Sequence, residues 1–335
     1  MIKIQKNKSL KKFNTWKINS RAKYFCEVET EKDFLEIFDF IKKEKIKYFI
    51  LGGGSNVVFL NDFYDGLIIK LKNNSIELYD FKKNIEIEAG VILDDLVKFL
   101  QQKKIYNMAN LTSIPGTVSG AIFGNAGAYG LEIGELVQKV LVFDLKTAKF
   151  KEFSQKVCNF SYRNSIFKQS NSRYLIYKVF LKIGETKKEQ NLSYTKLNQY
   201  LKKKINPNEI RKEIEEIRKE KFGDLNKIRT TGSIFKNAEI TNRQFKNIQK
   251  ILPDIPFWDL DNGKIKIPTG YLLDKLLNIK GKKFGNIKIN KDNALVFYAT
   301  VNVTGKEIFN LIKKIKKNIK KKVNINITSE VIFIK

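Results

Sequence analysis

The chain has 335 residues, 42% of them hydrophobic and 12% aromatic, and carries a formal net charge of +29. This length exceeds the usual size of a single core and predicts two or three domains, and the composition is not that of a disordered chain. No run of about 18 apolar residues predicts a membrane span, and the basic N-terminus lacks the apolar core of a secretory signal. We therefore expect a cytoplasmic protein with no membrane partner.

Histidine is absent and cysteine is rare. The two cysteines, Cys26 and Cys158, are far apart and lack metal-ligand spacing, so we predict neither a disulfide framework nor a metal site, which fits a reducing compartment. Without histidine the chain cannot contain a Ser-His-Asp triad or a histidine base. Acid–base chemistry must use Ser, Tyr, Lys, Glu, Asp or Cys.

The positive charge raises the alternative of a nucleic-acid-binding protein. Of the 64 basic residues seven are arginines, which leaves 64 − 7 = 57 lysines spread over the whole chain. Sites that recognise bases or bind phosphates in nucleic acids favour arginine. We therefore interpret the lysines as residues of solvent-exposed faces and expect no nucleic-acid partner. The densest basic run, Lys313 to Lys322, has Ile312, Ile315 and Ile319 at helical spacing and predicts an amphipathic surface helix.

The sequence predicts helices at Glu31–Glu44 and Leu93–Gln102, and the charged segment Asn208–Lys221 is predicted as a connecting helix. Strands are predicted at Tyr48–Leu51, Val57–Leu60, Leu67–Leu71, Ile85–Ala89, Lys139–Phe143 and Tyr174–Ile183. The remainder, Thr231 to Lys335, is predicted as a separate α+β unit that ends in a strand. Because helices and strands do not alternate regularly, the pattern favours an α+β fold over a doubly wound sheet.

The first stretch that carries chemistry, here called the first glycine segment, is Gly52-Gly53-Gly54-Ser55-Asn56, directly after a predicted strand. Consecutive glycines let backbone N–H groups converge on a diphosphate, and Ser55 and Asn56 add side-chain donors. The segment lacks the G-x-G-x-x-G and G-K-[ST] patterns, which disfavours a Rossmann fold and a P-loop. A plain glycine-rich turn is the alternative.

The second glycine segment, Ile114 to Gly130, contains five glycines in 17 residues of a chain that is otherwise rich in Lys, Ile and Phe. Something must approach its backbone closely. Either a cofactor lies against it or two elements of the protein pack tightly there.

Together the two segments resemble the FAD-binding domain of the vanillyl-alcohol-oxidase type, and the whole chain resembles the UDP-N-acetylenolpyruvoylglucosamine reductase family. Four further motifs carry this resemblance: Asn14-Thr15-Trp16, Ser161 to Lys168, Gly232 to Asn237, and Ser329-Glu330-Val331. It implies an α+β protein with a two-part FAD-binding α/β module (1–71 and 72–207) and a C-terminal α+β substrate domain (208–335), whose last strand packs back on the module. FAD would lie between the first two domains, and substrate would enter from the third.

The resemblance also implies the reaction. FAD, bound non-covalently, and NADPH as co-substrate would reduce UDP-N-acetylglucosamine enolpyruvate to UDP-N-acetylmuramate for peptidoglycan synthesis, in a monomer. The implied cofactor-binding residues lie in the two glycine segments: Gly52, Gly53, Gly54, Ser55, Asn56, Pro115, Gly116, Thr117, Gly120, Asn125, Gly127, Ala128 and Tyr129.

Three motif residues match the catalytic roles of the family. Arg163 would stabilise the negative charge that builds on the enol ether acid, Glu330 would help polarise the same enol, and Ser233 would supply the proton. Tyr194, Lys221 and Asn237 match substrate-contacting positions, and Arg218 is a further candidate for the pocket wall beside Tyr129. A turn hydroxyl at Ser233, a structural ion pair at Arg163 and a surface charge at Glu330 are the alternatives.

The chain departs from the family pattern at five positions: Ser119, Asn164, Ala238, Asn290 and Ser329 stand where glycine, aspartate, proline, histidine and proline are usual. None is one of the three catalytic residues. Another FAD oxidoreductase of the same fold, acting on an alcohol or sugar, is the alternative enzyme, and the motifs around Ser233 and Glu330 argue against it.

Overall fold

A computed structural model describes residues 2–80, 83–183, 207–222 and 228–335. The helices of these residues are α1 (Glu31–Glu44), α2 (Leu93–Gln102), α3 (Val118–Gly124), α4 (Gln155–Cys158), α5 (Ile166–Gln169), α6 (Pro207–Phe222), α7 (Asn242–Gln249), α8 (Thr269–Leu277) and α9 (Gly305–Val323). Short 3-10 turns lie at Lys11–Phe13, Ala109–Leu111 and Ile133–Glu135.

The strands are β1 (Gln5–Ser9), β2 (Arg21–Val28), β3 (Tyr48–Leu51), β4 (Val57–Phe59), β5 (Phe63–Leu71), β6 (Ile76–Tyr79), β7 (Asn84–Glu88), β8 (Gly127–Ala128), β9 (Leu131–Glu132), β10 (Val137–Asp144), β11 (Lys149–Ser154), β12 (Tyr174–Lys182), β13 (Ala238–Ile240), β14 (Trp258–Asp259), β15 (Ile265–Ile267), β16 (Lys283–Phe284), β17 (Ile287–Ile289), β18 (Phe297–Tyr298) and β19 (Ile332–Ile334). The predicted α1, α2 and β3 are confirmed residue for residue. Among the described residues, no helix is both long enough and apolar enough to cross a bilayer.

Two compact units divide the chain, and the division into three predicted domains stays a prediction. Unit 1 consists of Met1–Lys8, Ala22–Gly54 and Asp65–Arg218, and unit 2 of Ser9–Arg21, Ser55–Tyr64 and Lys219–Lys335.

Unit 1 contains a five-stranded sheet of order β11-β10-β12-β7-β6, in which neighbouring strands are antiparallel. The side chains of β10 and β12 that point inward are fully buried, as at Val140 and Val179, which face each other in the register. Helix α1 packs on this sheet through Phe34, whose ring lies 5.7 Å from that of Phe143 and 5.1 Å from that of Tyr177. This aromatic group joins helix and sheet in one core.

Local sequence explains where α1 begins and ends. Thr30 and Asp33 form a capping box, in which each side chain accepts a hydrogen bond from the other residue's backbone N–H. Lys45, in the left-handed region with φ 48°, ends the helix. The buried face therefore starts at Phe34, which fixes the position of the core contact.

A second sheet has the order β1-β2-β5-β3, and its strands β3 and β5 run parallel with Leu51 opposite Lys70. The first glycine segment follows β3 immediately. The antiparallel sheets and the mixed helices and strands confirm the predicted α+β class.

Unit 2 is built around α9 and three small sheets. Ile312, Ile315 and Ile319 of α9 are buried, which confirms the predicted amphipathic helix, and this helix begins eight residues before the basic run at Gly305. A Cβ atom at Gly305 would lie 1.9 Å from the Phe59 carbonyl oxygen of β4, so only glycine allows this approach. The final strand, β19, pairs parallel with β4.

Candidate active site

The two glycine segments pack against each other in unit 1. A Cβ atom at Gly53 would lie 2.5 Å from the Gly116 Cα, and one at Gly52 would lie 2.9 Å from the Thr117 Oγ1. Neither position accepts a side chain without a shift of the opposite segment. The sequence predicted that a cofactor or another element of the protein approaches the backbone of the second segment closely. At these two positions, the first segment makes that approach.

Local geometry holds the second segment in this position. Gly116 has φ 119°, which an L side chain rarely adopts, and the Gly116 carbonyl accepts a hydrogen bond from Leu93 N. Val118 N and Ser119 N donate to the carbonyls of Val91 and Ala89, which follow β7. The Thr117 hydroxyl caps α3 by accepting from Gly120 N.

Part of the second segment presents open backbone to solvent. Pro115 and Gly120 are exposed, and the nearest heavy atom to a Cβ at Gly120 is Thr117 Oγ1 at 3.5 Å. Exposed glycine backbone beside a second glycine-rich turn is the arrangement that a diphosphate needs for close approach, so the residues present fit FAD. Among the described residues, no three acidic or cysteine side chains form a group that could hold a metal ion.

Asn125 organises the end of the second segment. Its buried side chain donates to Glu132 Oε2 (2.6 Å) and to the Ser161 carbonyl (3.1 Å), and accepts from Gly134 N (3.0 Å). These bonds tie the β8–β9 hairpin, which contains Gly127 and Ala128, to the turn that carries Arg163. The direct contact of Asn125 with the cofactor stays a prediction.

Arg163 lies beside the second segment. Its Nη2 donates to the Gly127 carbonyl at 2.9 Å, and its own carbonyl accepts from Lys168 Nζ at 3.1 Å. Its backbone has φ 54°, in the left-handed region that costs a non-glycine residue about 1 kcal/mol or more. The turn between Ser161 and Asn164, closed by two backbone hydrogen bonds, holds it there.

Helix α6 docks next to the second segment through two arginines. Arg211 Nη2 donates to both Asp94 carboxylate oxygens at 2.9 and 2.8 Å. Burial acts to raise the pKa of Asp94, but hydrogen bonds from Arg211 and Ser113 N outweigh it and the pKa is lowered. Burial lowers the pKa of the Arg218 guanidinium. The charge interaction and the hydrogen bond with Tyr129 oppose this lowering.

Tyr129 itself is buried, has φ 51°, and its carbonyl accepts from Asn110 Nδ2 at 2.7 Å. The contact of Arg218 with Tyr129 places these two sequence-predicted wall residues side by side. Sequence reasoning did not find Arg211, because an arginine in a charged helix has the pattern of a solvated face.

In unit 2, Ser233 and Glu330 lie on neighbouring backbone segments. Ile234 N donates to the Leu295 carbonyl (2.9 Å), and the Ile234 carbonyl accepts from Glu330 N (2.8 Å). Bridges pair Ser233 with Val296 and Phe235 with Ser329. Both residues are half-buried, so a ligand can reach their side chains.

Two other motifs support this pair. Trp16 is fully buried and donates from Nε1 to Thr231 Oγ1 at 3.2 Å, which ties the Asn14-Thr15-Trp16 motif to the backbone segment that contains Ser233. The Asn56 side chain donates to the Glu330 carbonyl at 3.2 Å. The role of Asn56 as a cofactor residue stays a prediction, and the structure shows that its side chain holds the backbone of Glu330.

Two of the five departures from the family pattern, Ser329 and Asn290, have contacts that show how the structure accommodates them. The Phe235–Ser329 bridge is closed by Lys236 N and Glu330 N, which flank it, so pairing does not use the N–H of residue 329 and a proline there would remove no hydrogen bond of the bridge; the Ser329 hydroxyl lies 3.3 Å from the Ile234 carbonyl. The Asn290 side chain accepts from the backbone N–H groups of Asp292 and Asn293, which stabilises a turn.

Of the three predicted substrate residues, Asn237 is the one whose side chain lies within the described part of the chain. Asn237 is half-buried and follows Lys236, whose carbonyl accepts from Thr269 Oγ1 at 2.7 Å. Tyr194 lies outside the described residues. The backbone of Lys221 belongs to α6, and its side chain lies outside the described part of the chain.

Comparison with known proteins agrees with these sites. Residues 22–152 match the model of the FAD binding domain, and residues 224–334 match that of the C-terminal domain of UDP-N-acetylenolpyruvoylglucosamine reductase. Fold and matched domains define an FAD-dependent oxidoreductase whose FAD-binding module is of the vanillyl-alcohol-oxidase type.

The chain belongs to the UDP-N-acetylenolpyruvoylglucosamine reductase family. It is 36% identical to the reductase of Buchnera aphidicola subsp. Schizaphis graminum, over 97% of this chain and 95% of that one. It is 32% identical to that of Flavobacterium johnsoniae, over 98% and 99%. The crystal structure of the Thermus caldophilus reductase has the same fold, with a TM-score of 0.69 at 20% identity and 99% coverage of both chains.

Proposed function

We propose that this chain reduces UDP-N-acetylglucosamine enolpyruvate to UDP-N-acetylmuramate with NADPH, and so supplies a peptidoglycan precursor. The observation that carries the proposal is the hydrogen-bonded placement of Ser233 and Glu330 on adjacent segments, within a domain that matches the reductase family. The reaction adds one hydride and one proton across the enolpyruvyl double bond. FAD, when bound, carries the hydride from NADPH to the methylene carbon.

The chain's own residues then have three roles. The Arg163 guanidinium stabilises the negative charge that spreads from the adjacent carbon into the carboxylate, since a fixed cation needs no reorganisation as charge develops. The Glu330 carboxyl group helps polarise the same enol. The Ser233 hydroxyl donates its proton to the carbon that did not receive the hydride, which balances the addition.

Binding of the nucleotide sugar is assigned to Tyr194, Lys221 and Asn237, because a diphosphate is bound by cations and hydrogen-bond donors. We further propose non-covalent FAD, a monomer without a nucleic-acid partner, and a cytoplasmic location. The absence of histidine and the burial of both cysteines support non-covalent FAD, and the excess of lysine over arginine supports the lack of a nucleic-acid partner.

Stopped-flow measurement of the two half-reactions tests the role of Ser233. In Ser233→Ala, NADPH should reduce the flavin at the wild-type rate, because that half-reaction needs no substrate proton. Oxidation of the reduced flavin by the enolpyruvyl substrate should slow by about 10²–10⁴-fold, the usual loss when a general acid is removed. Ser233→Cys should regain part of the rate, since a thiol also donates a proton.

The matched control is Ser329→Pro, which alters a serine on the adjacent segment and should leave both half-reactions close to wild type. If Ser233→Ala oxidises its reduced flavin at the wild-type rate, Ser233 is not the acid and Glu330 becomes the candidate. If both half-reactions slow together, residue 233 has a structural role only.

A further inference from the structure

Lys70 is a half-buried lysine that contacts the first glycine segment. It lies in β5 opposite Leu51, the last residue of β3, and Gly52 follows directly. The Lys70 Nζ donates to the Gly52 carbonyl oxygen at 2.6 Å. The parallel pairing of β3 and β5 therefore delivers an ammonium group to the start of this segment.

This ammonium is poorly compensated by its surroundings. Burial lowers the pKa of Lys70, Lys72 acts in the same direction, and Glu27 opposes them. A lysine ammonium is strongly hydrated, so taking it out of water toward a neutral carbonyl is unfavourable without a further gain. A nearby anionic ligand would provide that gain.

Thr117 approaches Gly52 as well. Its Cβ position lies 2.9 Å from Thr117 Oγ1, and that hydroxyl is 3.0 Å from Ser119 Oγ. Gly52 is thus clamped between Lys70 and Thr117. Because the trans peptide is planar, its C=O and the following N–H point in opposite directions. The bond from Lys70 to the Gly52 carbonyl consequently fixes the direction of the Gly53 N–H.

We propose that Lys70 is a positioning residue for the diphosphate of FAD. It orients the Gly53 N–H through the Gly52 carbonyl, and its charge makes the potential at the first glycine segment more positive. This role rests on the FAD binding described above and adds a residue that lies outside both glycine segments. Lys70 acts through the backbone and does not carry out the chemistry.

The test compares Lys70→Met with Lys72→Met, which removes the same charge two residues further along the chain at an exposed position. FAD is stripped from the full-length protein, and binding of FAD, ADP and riboflavin is titrated by fluorescence or calorimetry. Lys70→Met should weaken FAD and ADP binding by about 10- to 100-fold, because the anionic diphosphate loses a nearby positive charge and a backbone N–H held in the right direction, and hydrogen bonds to charged groups are worth about this much. Lys72→Met should change them less than about threefold.

Riboflavin, which has no phosphate, distinguishes a loss of diphosphate positioning from a general disruption of the flavin-binding site. Its affinity should be the same in Lys70→Met and wild type, and the melting temperature of the stripped protein should differ little. Lys70→Arg, which keeps the charge and a donor, should bind FAD better than Lys70→Gln, and this pair decides the matter if Lys70→Met does not fold. Equal FAD affinity in Lys70→Met and wild type, or equal losses for riboflavin and FAD, would overturn the proposal. Failure of the wild-type protein to bind FAD would instead refute the proposed function.

Discussion

Replacing Gly53 by alanine tests whether the contact between the two glycine segments is needed for FAD binding. The new Cβ would lie 2.5 Å from the Gly116 Cα, 3.1 Å from the Gly116 carbonyl carbon and 3.3 Å from Thr117 N. Ordinary contact begins at 3.4 Å, so the segments must separate by about 3.4 − 2.5 = 0.9 Å. All three atoms are backbone atoms, and no rotamer change can relieve the overlap.

Overpacking of this kind costs about 1–3 kcal/mol in the free energy of unfolding. If these segments bind the diphosphate as we propose, the same displacement would change the positions of their backbone N–H groups, and a loss of about 1.4 kcal/mol there would weaken FAD binding tenfold. We expect Gly53→Ala to lose stability within that range and to bind FAD at least tenfold more weakly. Urea denaturation of the stripped protein and flavin fluorescence titration measure the two effects.

Gly124→Ala is the matched control, because a Cβ at Gly124 meets no atom within 4 Å and the residue ends α3. Alanine in a helix should stabilise the protein by about 0.5–1 kcal/mol and leave FAD affinity unchanged. If Gly53→Ala unfolds at the same urea concentration as Gly124→Ala and binds FAD equally well, the contact between the segments is not what the structure indicates.

Four further predictions concern charge, cysteine reactivity and the attachment of the flavin. The buried Asp144 accepts from Arg173 and Lys151, which hold its pKa well below the usual range, so its stabilisation is complete above pH ~4 and is lost as pH falls further. Arg173→Met should lower the free energy of unfolding at pH 7 in urea denaturation, because the buried Asp144 carboxylate loses one of its two cationic partners, and should lower it clearly less at pH 3; an equal loss at both values would contradict this. Burial raises the pKa of Cys26 and brings that of Cys158 to about 12, so a thiol reagent should label neither cysteine before unfolding; fast labelling of the native protein would contradict this. Acid precipitation should release all the flavin into the supernatant, and a yellow pellet would refute non-covalent binding of FAD. Binding to DNA or RNA should be weak, independent of sequence and lost steeply as salt rises, and sequence-selective binding at physiological salt would revive the nucleic-acid alternative.

The fold was predictable where the apolar pattern is strong. Helices α1 and α2 have buried faces at regular spacing, α1 also has a capping box at its start, and both helices were predicted to the residue. Strands β6 and β11 were missed because their side chains are mostly exposed or half-buried, so their sequences show little alternation. Only pairing with β7 and β10, which sequence does not reveal, makes them strands.

The site was predictable where chemistry depends on residue type. The glycine segments stand out because few other residues permit their close approach, and Ser233 and Glu330 follow from motifs. Lys70 could not be found in this way, since its role comes from the register of β3 and β5, which only the folded sheet defines. A lysine inside the apolar strand Leu67–Leu71 was the one available signal. In a chain with 57 lysines, this one lysine does not stand out from the others.

The reaction itself is the most direct test of the proposed function. Purified protein loaded with FAD is mixed anaerobically with NADPH and either UDP-N-acetylglucosamine enolpyruvate or UDP-N-acetylglucosamine, which lacks the enolpyruvyl group. NADPH absorbance and the mass of the sugar nucleotide are followed together. We predict that NADPH is consumed only with the enolpyruvyl substrate, with one UDP-N-acetylmuramate formed for each NADPH oxidised. NADPH consumption that is the same with both sugar nucleotides, and no product of the reduced mass, would contradict the proposed function.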